Sequence, residues 1–145
     1  MQYHTKIVKN TYKDDLALNN VYKYITDKNK TGGLIGGHNV IPDNAVLMME
    51  LIQQLYFFYD GDRLIHFILS FSPEMMIDEN AVFQYAMIIA SSFTDHQMVY
   101  SVHTDKDHLH IHFMLNPVSF KNGNIIRASE VKRQLDEKCK ILFRA

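Results

Sequence analysis

The segment Met98-Val-Tyr-Ser-Val-His-Thr-Asp-Lys-Asp-His-Leu-His-Ile-His-Phe-Met-Leu-Asn-Pro-Val118 decides the fold of this chain. β-Branched and aromatic residues dominate its two ends, which predicts strands over 98–103 and 109–118. The polar Asp105-Lys-Asp107 between them predicts a short turn, so the two strands should pair as an antiparallel hairpin. We therefore expect a sheet built around this hairpin.

Histidines are concentrated in the same hairpin, where His103, His108, His110 and His112 are four of the eight in the chain. Side chains two apart in a strand point to one face, so the last three should project together, and His103 can meet them across the turn. Four charged imidazoles would repel one another, whereas neutral imidazole is the commonest transition-metal ligand. Three converging imidazoles leave open coordination positions, which predicts a catalytic divalent-metal site. Mn, Zn, Co and Ni suit such ligands better than Mg, which usually prefers oxygen.

The remaining elements follow from hydrophobic periodicity and from turn and capping residues. In chain order we predict a strand over 2–9, helices over about 14–26 and 42–59, a strand over 63–71, a helix over 78–93, a short strand at 125–126 and a helix from 129 to the end. The glycine-rich segment 27–37 lacks the Gly-Lys-Ser/Thr of a P-loop and is interpreted as a flexible connection. This order predicts an α+β domain with a central antiparallel sheet covered by helices.

The composition indicates one domain over residues 1–145, since 47% of the residues are apolar and can form a core. No apolar run approaches the ~20 residues of a membrane helix, and no signal-peptide core follows the amino terminus. The lone Cys139 excludes an internal disulfide and suits a reducing cytoplasm. We expect Cys139 to pack within a helix rather than to act as a nucleophile.

Charge is unevenly distributed although the net charge is only −1: it is +3 over residues 1–31, −8 over 32–120 and +4 over 121–145. Basic ends around an acidic middle are consistent with a positive track along one face. The alternative is that they are ordinary solvated helix ends.

Several motifs together resemble the relaxase (mobilization nuclease) family of the MobA/VirD type. They are His103-x-Asp-x-x-His-x-His-x-His-x-x-x-Asn116, Tyr24-Ile-Thr-Asp-Lys-Asn-Lys-Thr31, Gly37-His-Asn39, Leu69-Ser-Phe-Ser-Pro73 and the Asn122-Gly123 hairpin. The motifs occur in the family's order over nearly the whole chain, so the resemblance is specific.

The resemblance implies a domain of the HUH endonuclease superfamily, with an antiparallel sheet, a metal held by histidines and a tyrosine nucleophile on a helix. Such enzymes nick one DNA strand at an origin of transfer and stay attached to its 5′ end. The matching positions imply His103, His110 and His112 as metal ligands and Tyr24 as the nucleophile. His108 sits where family members vary.

Other positions carry weaker implications. Asp105 matches a recurrent acidic position and is expected to act as a base or to orient a ligand. Asn116 ends the motif, where it would stabilise the end of the strand. Tyr22 is a second candidate nucleophile, and His4 and His38 are outside candidates.

The implied partners are single-stranded DNA at the transfer origin and accessory relaxosome proteins, in the bacterial cytoplasm and without a membrane. Lys28, Lys30, Lys132 and Arg133 are expected to contact phosphates. The family's nuclease domains are usually longer, so the resemblance also implies a domain shortened at its carboxyl end.

Three alternatives stay open. One is an HUH initiator of rolling-circle replication, and another is a non-catalytic, metal-containing DNA-binding module. The third is an RNA phosphoesterase with two His-x-Thr/Ser motifs, for which only His103-Thr-Asp approaches the pattern, at the wrong spacing.

Overall fold

The computed structural model describes residues 2–144 and confirms an α+β fold. Five antiparallel strands form one sheet in the order β1-β3-β5-β4-β2. The strands are β1 (Tyr3–Ile7), β2 (Ile35–His38), β3 (Ile65–Phe71), β4 (Met98–His103) and β5 (His110–Leu115). The helices are α1 (Ala17–Ile25), α2 (Lys28–Thr31), α3 (Ala45–Leu55), α4 (Glu79–Ser91) and α5 (Ala128–Leu142).

The predicted hairpin is present as β4 and β5, of which β5 is the central strand of the sheet. Met98 pairs with Leu115 at one end and His103 with His110 at the other. β5 begins at His110, so His108 lies in the connecting loop rather than in the strand. This corrects the expectation that three histidines share one strand.

The two faces of the sheet have different coverings. One face packs against α4 and α5 around Phe67 and Phe113, whose rings stack with centroids 4.5 Å apart. On the other face, Val99 and Met114 form a second core with residues of α1 and α3 such as Ile25. The histidines project from this second face, beyond the end of that second core.

The segment predicted as a flexible connection is instead structured. Lys28–Thr31 forms a helical turn, closed by Gly32 in the left-handed region with φ 58°, and Ile35–His38 pairs with β4 as an edge strand. Gly36 allows close packing there, since a Cβ at this position would lie 2.5 Å from the Tyr100 ring. A strand with two central glycines lacks the alternating pattern that identifies strands from sequence.

Two predictions near the carboxyl end have different outcomes. The Asn122-Gly123 turn is confirmed: Gly123 has φ 77° and its amide donates to the carbonyl of Ser119. The strand at 125–126 is reduced to an isolated bridge between Val118 and Ile125.

Cys139 lies within α5 and is fully buried, as predicted, and burial raises the pKa of its thiol to about 12. Such a thiol is a packing residue rather than a nucleophile. No helix within residues 2–144 is long and apolar enough to cross a membrane.

Candidate active site

Four histidines share the second face of the sheet because of the strand register. His103 of β4 lies opposite His110 of β5, and His112 follows two residues later on the same face. Ile68 of β3 lies opposite His112, which places His66 on this face as well. The centroid of the His112 ring is 3.9 Å from that of His103, 5.2 Å from that of His66 and 6.3 Å from that of His110.

Tyr24 lies over this histidine cluster. Val21 and Ile25 anchor α1 in the second core, whereas Tyr24 on the same helix is 48% exposed. Its edge-on contacts have centroid distances of 5.6 Å to His103, 5.6 Å to His112 and 6.5 Å to His66. The tertiary structure thus brings the tyrosine of the first motif onto the histidines of the second.

Charged residues line the cleft at this position, which has a volume of about 310 Å³. Asp105 and Lys30 form an ion pair at 3.7 Å, and the Lys30 ammonium lies 5.5 Å from the centroid of the Tyr24 ring. Lys6 and Lys106 line the same cleft. A second cleft, of about 490 Å³, continues past Tyr24 and His112 toward residues 8–12.

The clustered imidazoles are neutral at pH 7. Burial, and then proximity to His103, lower the pKa of His66 to about 4 and that of His112 to about 2. Burial also lowers the pKa of His103 and of His110. Each ring therefore keeps one nitrogen lone pair, which is the state in which imidazole binds a metal.

The neutral histidines make stability depend on pH. A histidine in the unfolded chain takes up a proton near pH 6.5, whereas His66 in the folded protein does so only near pH 4. The unfolded state binds more protons between these values, so the free energy of unfolding of the metal-free protein falls as the pH is lowered. From pH 7 to pH 5 we expect His66 alone to contribute a loss on the order of 2 kcal/mol, measured by urea denaturation in EDTA. His66→Gln should show a smaller loss, and an equal loss in both proteins would contradict this assignment.

The donor chemistry fits a divalent metal, although within residues 2–144 no three histidine, cysteine or acidic side chains surround a common point. Two rings are engaged in bonds of their own: His103 donates its Nε2–H to the carbonyl of Ile25 at 3.0 Å, and Nδ1 of His112 lies 2.9 Å from Nε2 of His66. Because each bond uses one nitrogen, the other nitrogen of His103 and of His112 remains for a ligand.

Three further predicted site residues lie apart from Tyr24. His108 contacts His110, with ring centroids 4.4 Å apart, and lines clefts formed with residues at the start of β1 and at the end of β3. Tyr22 packs against the second core. Asn116 is fully buried and bonds to Gln53, Gln97 and the amide of Val118, so it stabilises the end of β5.

The predicted phosphate contacts are divided between the two faces of the sheet. Lys30 lines the cleft, and Lys28 is exposed on the same helical turn. Lys132 and Arg133 belong to α5, which covers the opposite face. Lys132 bonds to Asp136 and Thr5, and Arg133 pairs with Glu130 and Glu137, so neither side chain joins the histidine cluster.

The outside candidates also lie elsewhere. His4 lines a cleft with His108 at the sheet edge, and His38 is 3.2 Å from the carbonyl of Phe93.

Sequence reasoning missed His66 and Tyr12. Both line the second cleft, and His66 is 6% exposed. The available signal was a lone histidine on strand 65–71, which is otherwise apolar except for Ser70. Such a histidine is more often a packed residue than a site residue.

Comparisons with known proteins show the family of the chain. The model of the family "Relaxase: MobA/VirD2-like, nuclease domain" matches residues 24–145. Protein rlx of Staphylococcus aureus is 28% identical over 130 residues, which cover 89% of this chain and 39% of that protein. The chain thus spans well under half the length of this relative. Because the family match begins at Tyr24 and includes the histidine hairpin, the chain belongs to the relaxase family and corresponds to its nuclease domain.

Proposed function

We propose that this chain is the strand-nicking domain of a DNA relaxase that acts on single-stranded DNA at an origin of transfer. The Tyr24 hydroxyl would attack a phosphodiester and form a bond between Oη and phosphorus, while the bond to the 3′ oxygen breaks. The products would be a 5′-phosphotyrosine and a free 3′ hydroxyl, which takes up a proton as it leaves. Because the phosphotyrosine conserves the bond energy, the same step run backwards would rejoin the strand.

One observation carries this proposal: an exposed tyrosine stands edge-on over His103 and His112, at 5.6 Å from each ring centroid. A packing tyrosine would rest against the second core, as the partly buried Tyr22 does. Tyr24 instead faces a cleft, where a substrate can reach its hydroxyl.

His103, His110 and His112 are our proposed metal ligands, and Mn²⁺ is the ion we would test first. A divalent cation held there would supply positive charge to the non-bridging oxygens of the phosphate and stabilise the charge that develops during attack. Since the three ligands are neutral, they would not diminish that charge.

Asp105 and Lys30 are proposed to assist from the wall of the cleft. Asp105 would accept the proton that leaves Tyr24, directly or through a water molecule. Lys30 holds this carboxylate at 3.7 Å and lies close to the Tyr24 ring, where a phosphate would need a cation.

Single-stranded DNA would enter along the two clefts that meet at Tyr24 and His112. Lys6 is exposed and lines both of them, so it is our strongest candidate for a phosphate contact. Lys132 is not proposed as a contact, since it lies on the opposite face and bonds to Asp136.

We predict that Lys6→Gln weakens binding of a random-sequence single-stranded 30-mer and lowers the salt dependence of that binding. Loss of one phosphate contact should reduce the slope of log K against log salt concentration by about 0.7. Lys132→Gln removes the same charge from the other face and should leave the slope unchanged. Fluorescence anisotropy at several salt concentrations measures both slopes, and equal slopes for Lys6→Gln and the unaltered protein would remove Lys6 from the DNA path.

Covalent capture tests the proposed function without knowledge of the origin sequence. The protein is incubated with Mn²⁺ and a library of random-sequence single-stranded DNA, and species that survive denaturant are isolated. Tryptic digestion separates the two candidate tyrosines, because cleavage after Lys23 leaves Tyr22 in peptide 14–23 and Tyr24 in peptide 24–28. We expect a nucleotide adduct on peptide 24–28. An adduct on another peptide would overturn the assignment of Tyr24, and no adduct under any metal would overturn the nicking function.

A further inference from the structure

His66 is a buried histidine that neither the sequence motifs nor the reaction proposed above uses. It lies on β3 with 6% of its surface exposed, and both of its ring nitrogens have polar neighbours. Nε2 is 2.9 Å from Nδ1 of His112, and Nδ1 is 3.4 Å from Oη of Tyr12. A chain of polar contacts therefore runs from Tyr12 through His66 to His112.

The hydrogens in this chain follow from the role of His112. A bond between two neutral imidazoles needs one N–H and one lone pair. If His112 binds a metal through Nε2, its hydrogen must sit on Nδ1, which then donates to Nε2 of His66. His66 in turn carries its hydrogen on Nδ1, and Oη of Tyr12 accepts it.

We infer that His66 is a positioning residue, which accepts the Nδ1–H of His112 and thereby keeps Nε2 of that ring available as a metal ligand. The inference rests on the proposed function. Carboxylates, carbonyls and water commonly accept such a bond at metal sites. A neutral imidazole brings no negative charge of its own, so the cation keeps more of its charge for the phosphate.

Metal affinity tests this role independently of nicking. Titration calorimetry with Mn²⁺ alone would compare the unaltered chain with His66→Leu and His66→Gln. We expect His66→Leu to weaken Mn²⁺ binding by roughly 10- to 100-fold, the usual effect of losing the partner of a ligating histidine. His66→Gln should stay within a few-fold of the unaltered protein, because its amide oxygen can accept the same hydrogen.

His96 offers a matched control. It is buried to a similar degree, and its Nδ1–H donates to the carbonyl of Asn116 at 2.9 Å, outside the histidine cluster. His96→Leu therefore removes a buried imidazole and one hydrogen bond, and should leave Mn²⁺ affinity unchanged.

A second readout is the tautomer of His112 in the metal-free protein, observed by ¹⁵N NMR of labelled histidine. We expect Nδ1–H in the unaltered protein and in His66→Gln, and loss of this single tautomer in His66→Leu. This measurement distinguishes a change in the orientation of His112 from a general loss of stability. If His66→Leu does not fold, His66→Gln still allows the test.

Three results would overturn the inference: unchanged Mn²⁺ affinity in His66→Leu, equal weakening in His66→Gln and His66→Leu, or Nε2–H on His112 in the unaltered protein. Any of these, together with an adduct on Tyr24, would refute only the role of His66. An unaltered chain that binds no Mn²⁺ and forms no adduct would refute the proposed function as well.

Discussion

Tyr24→Phe is expected to abolish covalent capture of single-stranded DNA, with a fall of more than about 10³-fold in the rate of adduct formation. The substitution removes only the hydroxyl, so the ring keeps its edge-on contacts with His103 and His112. The side chain is 48% exposed, and stability should change by no more than about 0.5 kcal/mol. Denaturing gel electrophoresis of the captured adduct measures the first effect, and urea denaturation measures the second.

Tyr22→Phe is the matched control, because it makes the same chemical change two residues away on the same helix. Tyr22 is partly buried against the second core and lines neither of the two clefts at Tyr24, so its hydroxyl is not expected to reach the substrate. Its variant should form the adduct at nearly the rate of the unaltered protein. If Tyr24→Phe retains capture while Tyr22→Phe loses it, the nucleophile has been assigned to the wrong tyrosine.

His112→Ala is expected to weaken Mn²⁺ binding by more than about 100-fold, since loss of a ligand's outer partner alone costs 10- to 100-fold. His112 occupies the centre of the cluster, with ring contacts to His66, His103 and His110. Its removal takes away a proposed ligand and also leaves Nε2 of His66 without this neighbour. Calorimetry with Mn²⁺ measures the affinity, and covalent capture should be lost in parallel.

His108→Ala is the control for this prediction. His108 belongs to the same sequence motif but lies in the loop before β5, where it lines clefts formed with residues at the start of β1 and at the end of β3. We expect its Mn²⁺ affinity to remain within a few-fold of the unaltered value. Comparable losses in His108→Ala and His112→Ala would indicate that the loop rearranges to make His108 a ligand.

The fold could be predicted wherever the pattern of the side chains matched the period of the element. The hairpin, strand β3 and the long helices have this property, and the structure confirms them. Strand β2 does not, because Ile35-Gly-Gly-His38 offers no alternation and is held by pairing with β4. The prediction of a strand at residues 125–126 was wrong although the local pattern favoured it. Two isoleucines follow a turn there, but they form only the single bridge between Ile125 and Val118.

The site could be predicted in part. The histidine motif and Tyr24 could be identified from the sequence, because the spacing of the histidines and the family resemblance indicate the same chemistry. His66 could not be identified from the sequence, because its proximity to His112 depends on the register in which β3 pairs with β5. Lys132 was predicted to contact phosphate, yet it lies away from the cleft, for a related reason. The charge along a sequence does not indicate which face of a sheet a helix covers, and α5 covers the face away from the cleft.

By itself, the sequence determined that this chain is an α+β domain with a histidine hairpin and a tyrosine-bearing helix, because residue type and spacing act over a few neighbouring positions. Only the tertiary structure decided that Tyr24 stands over His103 and His112, that His66 joins them, and that Asn116 serves the core. These relations depend on strand order and helix packing, which result from burial across the whole chain. The motif therefore predicts the type of chemistry, and the packing of the sheet brings together the side chains that would carry it out.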